Sequence, residues 1–441
     1  MPTFPDFRYP LCRRPLERKK CGRRWELSQG EDMISNAGEP CQRRRGEIHA
    51  VNGNLRNICS SGGKFSAGAI FFHPPAILTA SRKRQAETME TFWIKPKLYF
   101  GPEPMAALDR LAGKRVLIVT DAFLASSGLL DRVKNRLTGA VEIFDQVEPD
   151  PSLRLVAQGV RMLRDFGPDA VVAFGGGSPM DCAKGMCWFS DRHPPLWCIP
   201  TTAGTGSEVT SFAVLTDTDQ GVKYPLVEED LLPEAAILDA SLLEGVPPHV
   251  TADTGMDVLT HAAEAVAAKG ASPFSDALAE KAFALAYRRL PEAHAGSREA
   301  KQDMLLASCM AGMAFNAAGL GVCHSMAHAL GGRFHVPHGR LNALLLPGVI
   351  QFNAVEQRTA EKYARLAKLC GLAANPRALS SAVTRLRSGL KIPLKLPVPA
   401  QEFRAALPGL AAAALQDVCL PGNPRPVTAG EIEAMLREIG G

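Results

Sequence analysis

Residues 169–185 read DAVVAFGGGSPMDCAKG, and how this stretch is read decides the fold. Its first half is a short, continuously apolar run, the pattern of a strand buried on both faces of a parallel sheet. The run ends in Gly175, Gly176 and Gly177, and a helical stretch follows. Glycines at a strand-to-helix turn let backbone N–H groups approach a diphosphate, and the helix N-terminus favours its negative charge. Ser178 is expected to cap that helix, as is Asp181 in its first turn. The turn is not GxGxxG, so on its own a purely structural turn explains it as well as a cofactor loop does.

Outward from this point the same alternation recurs. KRVLIVTD (114–121) is a strand ending in Asp121, and AFLASSGLLDRVKNRL (122–137) reads as a helix. VEIFDQV (141–147) is a strand, LRLVAQGVRMLRDFG (153–167) a helix closed by Gly167, and LWCIPTT (196–202) a further strand. Upstream, METFWIKPKLYFGPEPM (89–105) begins like the first edge strand of a compact enzyme. Strands alternating with helices predict a Rossmann-like parallel sheet with right-handed crossovers. After EGVPPHVTA (244–252) the texture becomes Ala- and Leu-rich with helical spacing. The expectation is an α/β nucleotide-binding domain over 89–248 and an all-α domain over 249–441.

Residues 1–88 differ in character. They hold 16 Lys/Arg and 8 Asp/Glu, while the remaining 353 residues hold 34 and 37. The body is mildly acidic, which argues against nucleic-acid binding by it. No sustained period runs through 1–88. A disordered or non-native extension is expected there, in preference to a basic arm for RNA or an acidic partner, or a targeting segment. No signal-peptide pattern and no apolar run of transmembrane length are present. The 11 cysteines are scattered without a CxxC pair, as in proteins of a reducing, cytoplasmic compartment.

Two polar small-residue loops follow strands: the glycine loop and PTTAGTGSEVT (200–210). Loops at the carboxyl ends of parallel strands are where an open α/β sheet binds its ligand. A carboxylate at Asp121 can accept ribose hydroxyls and repel a 2′-phosphate, favouring NAD over NADP, with a simple helix N-cap as the alternative role. In TGMDVLTHAAEAV (254–266), Asp257 and His261 lie four apart on one helical face. HSMAHALGGRFHVPH (324–338) holds four of the chain's 10 histidines. His324 and His328 share a helical face, and His335 and His338 follow in a loop. One carboxylate with several imidazoles and no thiolate suits Fe²⁺, Zn²⁺ or Mn²⁺. Spacing alone does not choose among these histidines, and a packed core of them would need many hydrogen-bond partners.

Taken together, GGGSPMDCAK, PTTAGTGSEVT, TGMDVLTHAAEA, GLGVCHSMAHALGG and PHGRLNALLLP resemble the iron-containing (group III) alcohol dehydrogenases from about Met89 to Gly441. The resemblance implies metal ligation by Asp257, His261, His324 and His338, with His328 beside substrate and nicotinamide as a catalytic proton carrier. It leaves His335 without a role. It implies cofactor contacts at Asp121, Gly176, Gly177, Ser178, Thr201, Thr202, Thr210 and Lys223, with Leu242 a less secure one. It implies Fe²⁺ or Zn²⁺, NAD(H), a homodimer, and interconversion of short-chain aldehydes and primary alcohols. KYPL, VPPHVTADTG and ASPFSDALAEKA resemble most the branch reducing propionaldehyde to 1-propanol in propanediol-utilising bacterial microcompartments, with ethanolamine-utilising relatives next. Shell or enzyme partners of such a compartment are therefore expected, and neither nucleic acid nor membrane is. A dehydroquinate-synthase-like lyase would need a basic phosphate pocket beside the metal, for which Arg340 is the one basic candidate in the ligand segments. A microcompartment interaction protein is a rival that an intact site would make an addition rather than a replacement.

Overall fold

The structure is a computed structural model that describes residue 92, residues 94–218 and residues 222–440. The expectations for residues 1–88 lie outside the described residues.

Eight strands are present among them: β1 (Lys97–Phe100), β2 (Val116–Val119), β3 (Val141–Phe144), β4 (Ala170–Gly175), β5 (Leu196–Pro200), β6 (Phe212–Asp217), β7 (Val222–Val227) and β8 (Ala235–Leu238). Six form a parallel sheet in the order β1-β8-β5-β4-β2-β3. β1 is an edge strand, as its sequence predicts. Helices α1 (Ala122–Ser126), α2 (Asp131–Lys134), α3 (Leu153–Phe166) and α4 (Gly177–Trp188) lie between these strands.

The apolar strand runs are buried on both faces. Leu117, Val119, Val171 and Ala173 form one core with Val156 and Leu163 of α3 and Met180 and Met186 of α4. The alternate residues Val116, Ile118, Val172 and Phe174 belong to a second core that continues into the helical half. Side chains alternate across a strand, so a continuously apolar run is what two covered faces require. Phe174 is fully buried, and burying a side chain of its size contributes about 1.5–3 kcal/mol.

The last strand of the sheet ends at Leu238, and the first long helix begins at Pro248. From there the chain is helical: α5 (Pro248–Ala267), α6 (Pro273–His294), α7 (Arg298–Ala318), α8 (Val322–Phe334), α9 (His338–Asn353), α10 (Gln357–Leu369), α11 (Pro376–Gly389), α12 (Ala400–Leu415) and α13 (Ala429–Ile439). Among the described residues no single helix is long and apolar enough to cross a membrane.

Strand order locates the ligand site. From β2 the chain moves to β3 on one side, then returns through α3 to β4 on the other. The direction reverses between β2 and β4, and open α/β sheets bind ligands at the strand ends beside such a switch point. Asp121 follows β2 and the glycine loop follows β4. Gly175 takes φ 154°, and a Cβ there would run into the Pro179 ring. The strand can turn into α4 this tightly only with glycine.

Three local expectations are corrected. The helix over 122–137 is two short pieces, because Gly128 takes a left-handed φ of 76° between them. Ser178 and Asp181 do not cap α4. Gly176 occupies the N-cap without a side-chain bond, and the Asp181 carboxylate accepts instead from Ser207 Oγ at 2.8 Å and Val214 N at 3.0 Å. Neither the antiparallel β6–β7 pair nor β8 of the parallel sheet has a counterpart in the sequence reading. Pro225 inside β7 weakens the strand pattern there.

Candidate metal and cofactor site

Helix α5 carries Asp257, His261 and Glu264 at i, i+4 and i+7, one stripe of a single face. Helix α8 begins two residues before His324, and α9 begins at His338 behind Pro337. Gly339 lets α9 meet α5 here, since a Cβ on it would overlap the Asp253 carbonyl and sit 3.2 Å from Asp257 Cβ. The structure thus brings together groups up to 81 residues apart in sequence.

Donor atoms of Asp257, His261 and His324 lie within 4.8 Å of one another, all on buried residues. His338 Nε2 stands 3.7 Å from Asp257 Oδ1, and His324 Nε2 3.8 Å from the same oxygen. Nδ1 of His261 is buried without a hydrogen-bond partner. Its ring is stacked between Phe315 at 4.5 Å and His324 at 4.6 Å. Burial pushes the His261 and His324 pKa values down and that of His338 down to about 4. Burial opposes ionisation of Asp257, but the neighbouring histidines His261, His338 and His324 outweigh it and leave its pKa lowered. Neutral imidazoles around one ionised carboxylate form the donor set a divalent transition metal takes.

Two surrounding groups were not found in the sequence. Glu264 Oε2 lies 2.6 Å from His324 Nδ1, while its oxygens also accept the backbone N–H groups of Cys323 at 2.7 Å and His324 at 3.3 Å. This leaves Nε2 of His324 for the metal position. Burial raises the Glu264 pKa to about 7. Its place three residues after His261 was the available signal. Asn342 Nδ2 sits 2.7 Å from Asp257 Oδ1, 3.2 Å from His324 Nε2 and 3.1 Å from His338 Nε2. It lies four residues after His338, on the same face of α9.

A cleft of about 500 Å³ joins this cluster to the sheet. Gly177, Ser178, Thr210 and Lys223 line its sheet side, and His324, His328 and His338 line its helical side. Gly176 and Thr202 are adjacent, since a Cβ on Gly176 would lie 3.3 Å from Thr202 Oγ1. Lys223 pairs with Asp150 at 2.6 Å. Thr201 is buried, and Leu242 is buried in the core; neither lines the cleft. Asp121 caps α1, accepting from Leu124 N at 2.8 Å, outside the cleft lining. His335 lines the cleft too, but is exposed and caps α8 in a left-handed conformation with φ 54°. A long cleft running from a glycine turn at a helix N-terminus to a buried metal donor set suits a dinucleotide laid toward a metal-held substrate.

Residues 95–240 match the iron-containing alcohol dehydrogenases, and residues 251–440 match the C-terminal region of the Fe-containing alcohol dehydrogenase family. The chain belongs to the iron-containing alcohol dehydrogenase family. It is an oxidoreductase acting on alcohols. It is 46% identical over 369 residues to the 1-propanol dehydrogenase PduQ of Salmonella typhimurium, covering 80% of this chain and 100% of that one. It is 38% identical over 380 residues to an NADPH-dependent butanol dehydrogenase of Clostridium saccharobutylicum, covering 79% of this chain and 97% of that one. Among solved structures, sulfoacetaldehyde reductase of Bifidobacterium kashiwanohense in complex with NAD⁺ superposes with TM-score 0.72 at 28% identity, covering 80% of this chain and 98% of that one.

Proposed function

We propose that this dehydrogenase interconverts short-chain aldehydes and primary alcohols, with propionaldehyde and 1-propanol as the physiological pair and NAD(H) as the coenzyme. The observation that carries the reading is one cleft lined by both the glycine loop and the Asp257–His261–His324–His338 cluster. The similarity to 1-propanol dehydrogenase supports the substrate. The balanced reaction is R–CHO + NADH + H⁺ ⇌ R–CH₂OH + NAD⁺. A bound Fe²⁺ or Zn²⁺ supplies Lewis-acid stabilisation of charge on the carbonyl oxygen, and NADH supplies the hydride.

The chain's own residues do the rest. Asp257, His261, His324 and His338 would hold the metal, and Glu264 orients His324. Gly176, Gly177 and Ser178 at the start of α4 receive the diphosphate, with Thr202, Thr210 and Lys223 as further coenzyme contacts, while Thr201 and Leu242 lie buried off the cleft. Asp121 at the end of β2 discriminates against a 2′-phosphate. His328 carries the proton to or from the substrate oxygen. Apolar Phe315, Leu320 and Ala327 line the cleft beside the metal cluster and exclude water from a short alkyl chain. A homodimer working among microcompartment partners belongs to the same proposal.

A phosphate-substrate lyase is disfavoured by one observation. Arg340 is held bidentate by Asp253, with Nε and Nη2 at 3.2 Å and 2.9 Å from its two oxygens. That guanidinium is already neutralised. The test is oxidation of NADH and of NADPH with acetaldehyde, propionaldehyde and butyraldehyde by anaerobically reconstituted protein. Propionaldehyde with NADH is expected to give the highest kcat/KM; turnover of none of the three would end the proposal.

A further inference from the structure

We propose that Asp417 is a positioning residue that fixes His328 in the tautomer protonated on Nδ1, leaving Nε2 toward the cleft as an acceptor for an alcohol hydroxyl. The proposal rests on the reading above for the role of His328, and not for the state of its ring.

Asp417 Oδ2 lies 2.8 Å from His328 Nδ1, and Oδ1 accepts the backbone N–H of Cys419 at 2.9 Å. An ionised carboxylate has no hydrogen to donate, so the hydrogen in this bond must sit on Nδ1. Burial alone would raise the Asp417 pKa. The hydrogen bonds from His328 and from the Cys419 backbone N–H outweigh burial and hold the carboxylate ionised. His328 lines the cleft and its ring stacks on His338 at 5.1 Å. With Nδ1 committed to Asp417, Nε2 is the nitrogen left for substrate.

The fold delivers Asp417 from far along the chain. It follows α12, whose LPGLAAAAL end packs small side chains inward at Ala411 and Ala414. Helices α12 and α8 pack together. The turn after α12 then sets Asp417 against His328, 89 residues away. Donor atoms of His328, Asp417 and Cys419 lie within 4.8 Å of one another. Nδ1 and Oδ2 nevertheless satisfy each other, and burial raises the Cys419 thiol well above its usual pKa. A hydrogen-bonded pair accounts for the geometry without an ion.

The Cys419 N–H makes the idea testable, because it can only donate. In Asp417→Asn it holds the amide oxygen, which turns the NH₂ toward His328 Nδ1. That nitrogen must then accept, and the proton moves to Nε2. A residue that merely packs would not invert a tautomer.

The experiment is a long-range ¹H–¹⁵N correlation spectrum of ¹⁵N-histidine-labelled, zinc-loaded protein, with His328 assigned by the signal lost in His328→Gln. Nδ1–H in the wild type and Nε2–H in Asp417→Asn are expected; Nε2–H in the wild type overturns the proposal without any further variant. Alongside, Asp417→Asn should lose about 10²-fold in kcat, with the KM for NADH and metal content unchanged. Asp417→Glu, which keeps an acceptor-only carboxylate, should recover part of that loss. An Asp417→Asn enzyme with wild-type kcat also overturns it. A wild-type protein that oxidises no primary alcohol would fail the functional reading instead, because the tautomer is read without turnover.

Discussion

The carboxylate of Glu264 stands 2.6 Å behind the Nδ1 of His324 and fixes which ring nitrogen faces the metal position. Both of its oxygens also receive backbone N–H groups at the start of α8. An amide in its place would turn an NH₂ toward one of those donors. Glu264→Gln is therefore expected to weaken metal retention about 10–100-fold, as partners behind metal ligands generally do. Competition against a chelator of known affinity measures it; unchanged retention would remove Glu264 from the account.

The low pKa of the histidines sets how metal binding responds to acid. Burial holds His338 near 4, below the 6.5 of a free imidazole, and lowers His261 and His324 in the same direction. A depressed value means the ring stays neutral, and able to ligate, as pH falls through 6.5. The imidazoles are expected to stay neutral until the pH approaches the His338 value of about 4, and metal loss above that is expected only as Glu264, near 7, takes up a proton. Metal content of the wild type and of Glu264→Gln across that range checks it; a loss near 6.5 that persists in Glu264→Gln would show imidazoles that protonate like free ones.

Glu208 gives the opposite sign. Its carboxyl is buried with Oε1 unpaired, and burial raises its pKa from 4.5 to about 7. A raised carboxyl pKa stabilises the fold fully below 4.5, and that contribution is lost as pH rises through 7. Glu208→Gln should match the wild type in acid and become the more stable protein above pH 7, by up to on the order of 3 kcal/mol. Thermal melts across the range test this; a gap that narrows with rising pH would contradict it.

Asp121→Gly should narrow the preference for NADH over NADPH by removing the carboxylate proposed to meet the ribose. The cost to α1 should be small, since glycine replaces a capping residue at only a few tenths of a kcal/mol. The ratio of kcat/KM values for the two coenzymes decides it. A wild-type chain that prefers NADPH would set this role of Asp121 aside.

Strands β2, β4 and β5 were legible because they are short apolar runs covered on both faces, and β2 and β4 run into Asp121 and the glycines, whereas β8 was not read as a strand. The α5 face was legible because a spacing of four along one helix is local information. His328 was visible as a histidine, but Asp417, its partner, lies 89 residues away and reaches it only through the packing of α12 on α8. The β6–β7 pair was hidden by Pro225, and the break at Gly128 was signalled by Ser126–Ser127–Gly128, a turn composition the helical reading passed over. Asp181 looked like a cap because cap residues are named by local position. Its bonds to Ser207 and Val214 depend on which loop the sheet brings near.

The central claim is that one metal, held by Asp257, His261, His324 and His338, is required for alcohol–aldehyde chemistry in this cleft. The most direct measurement is iron content together with NADH-dependent propionaldehyde reduction, made anaerobically on the wild type, His324→Ala and His335→Ala after identical Fe²⁺ reconstitution. The account predicts bound iron and turnover in the wild type and in His335→Ala, and neither in His324→Ala. Full iron and turnover in His324→Ala, or their loss in His335→Ala alone, would contradict it.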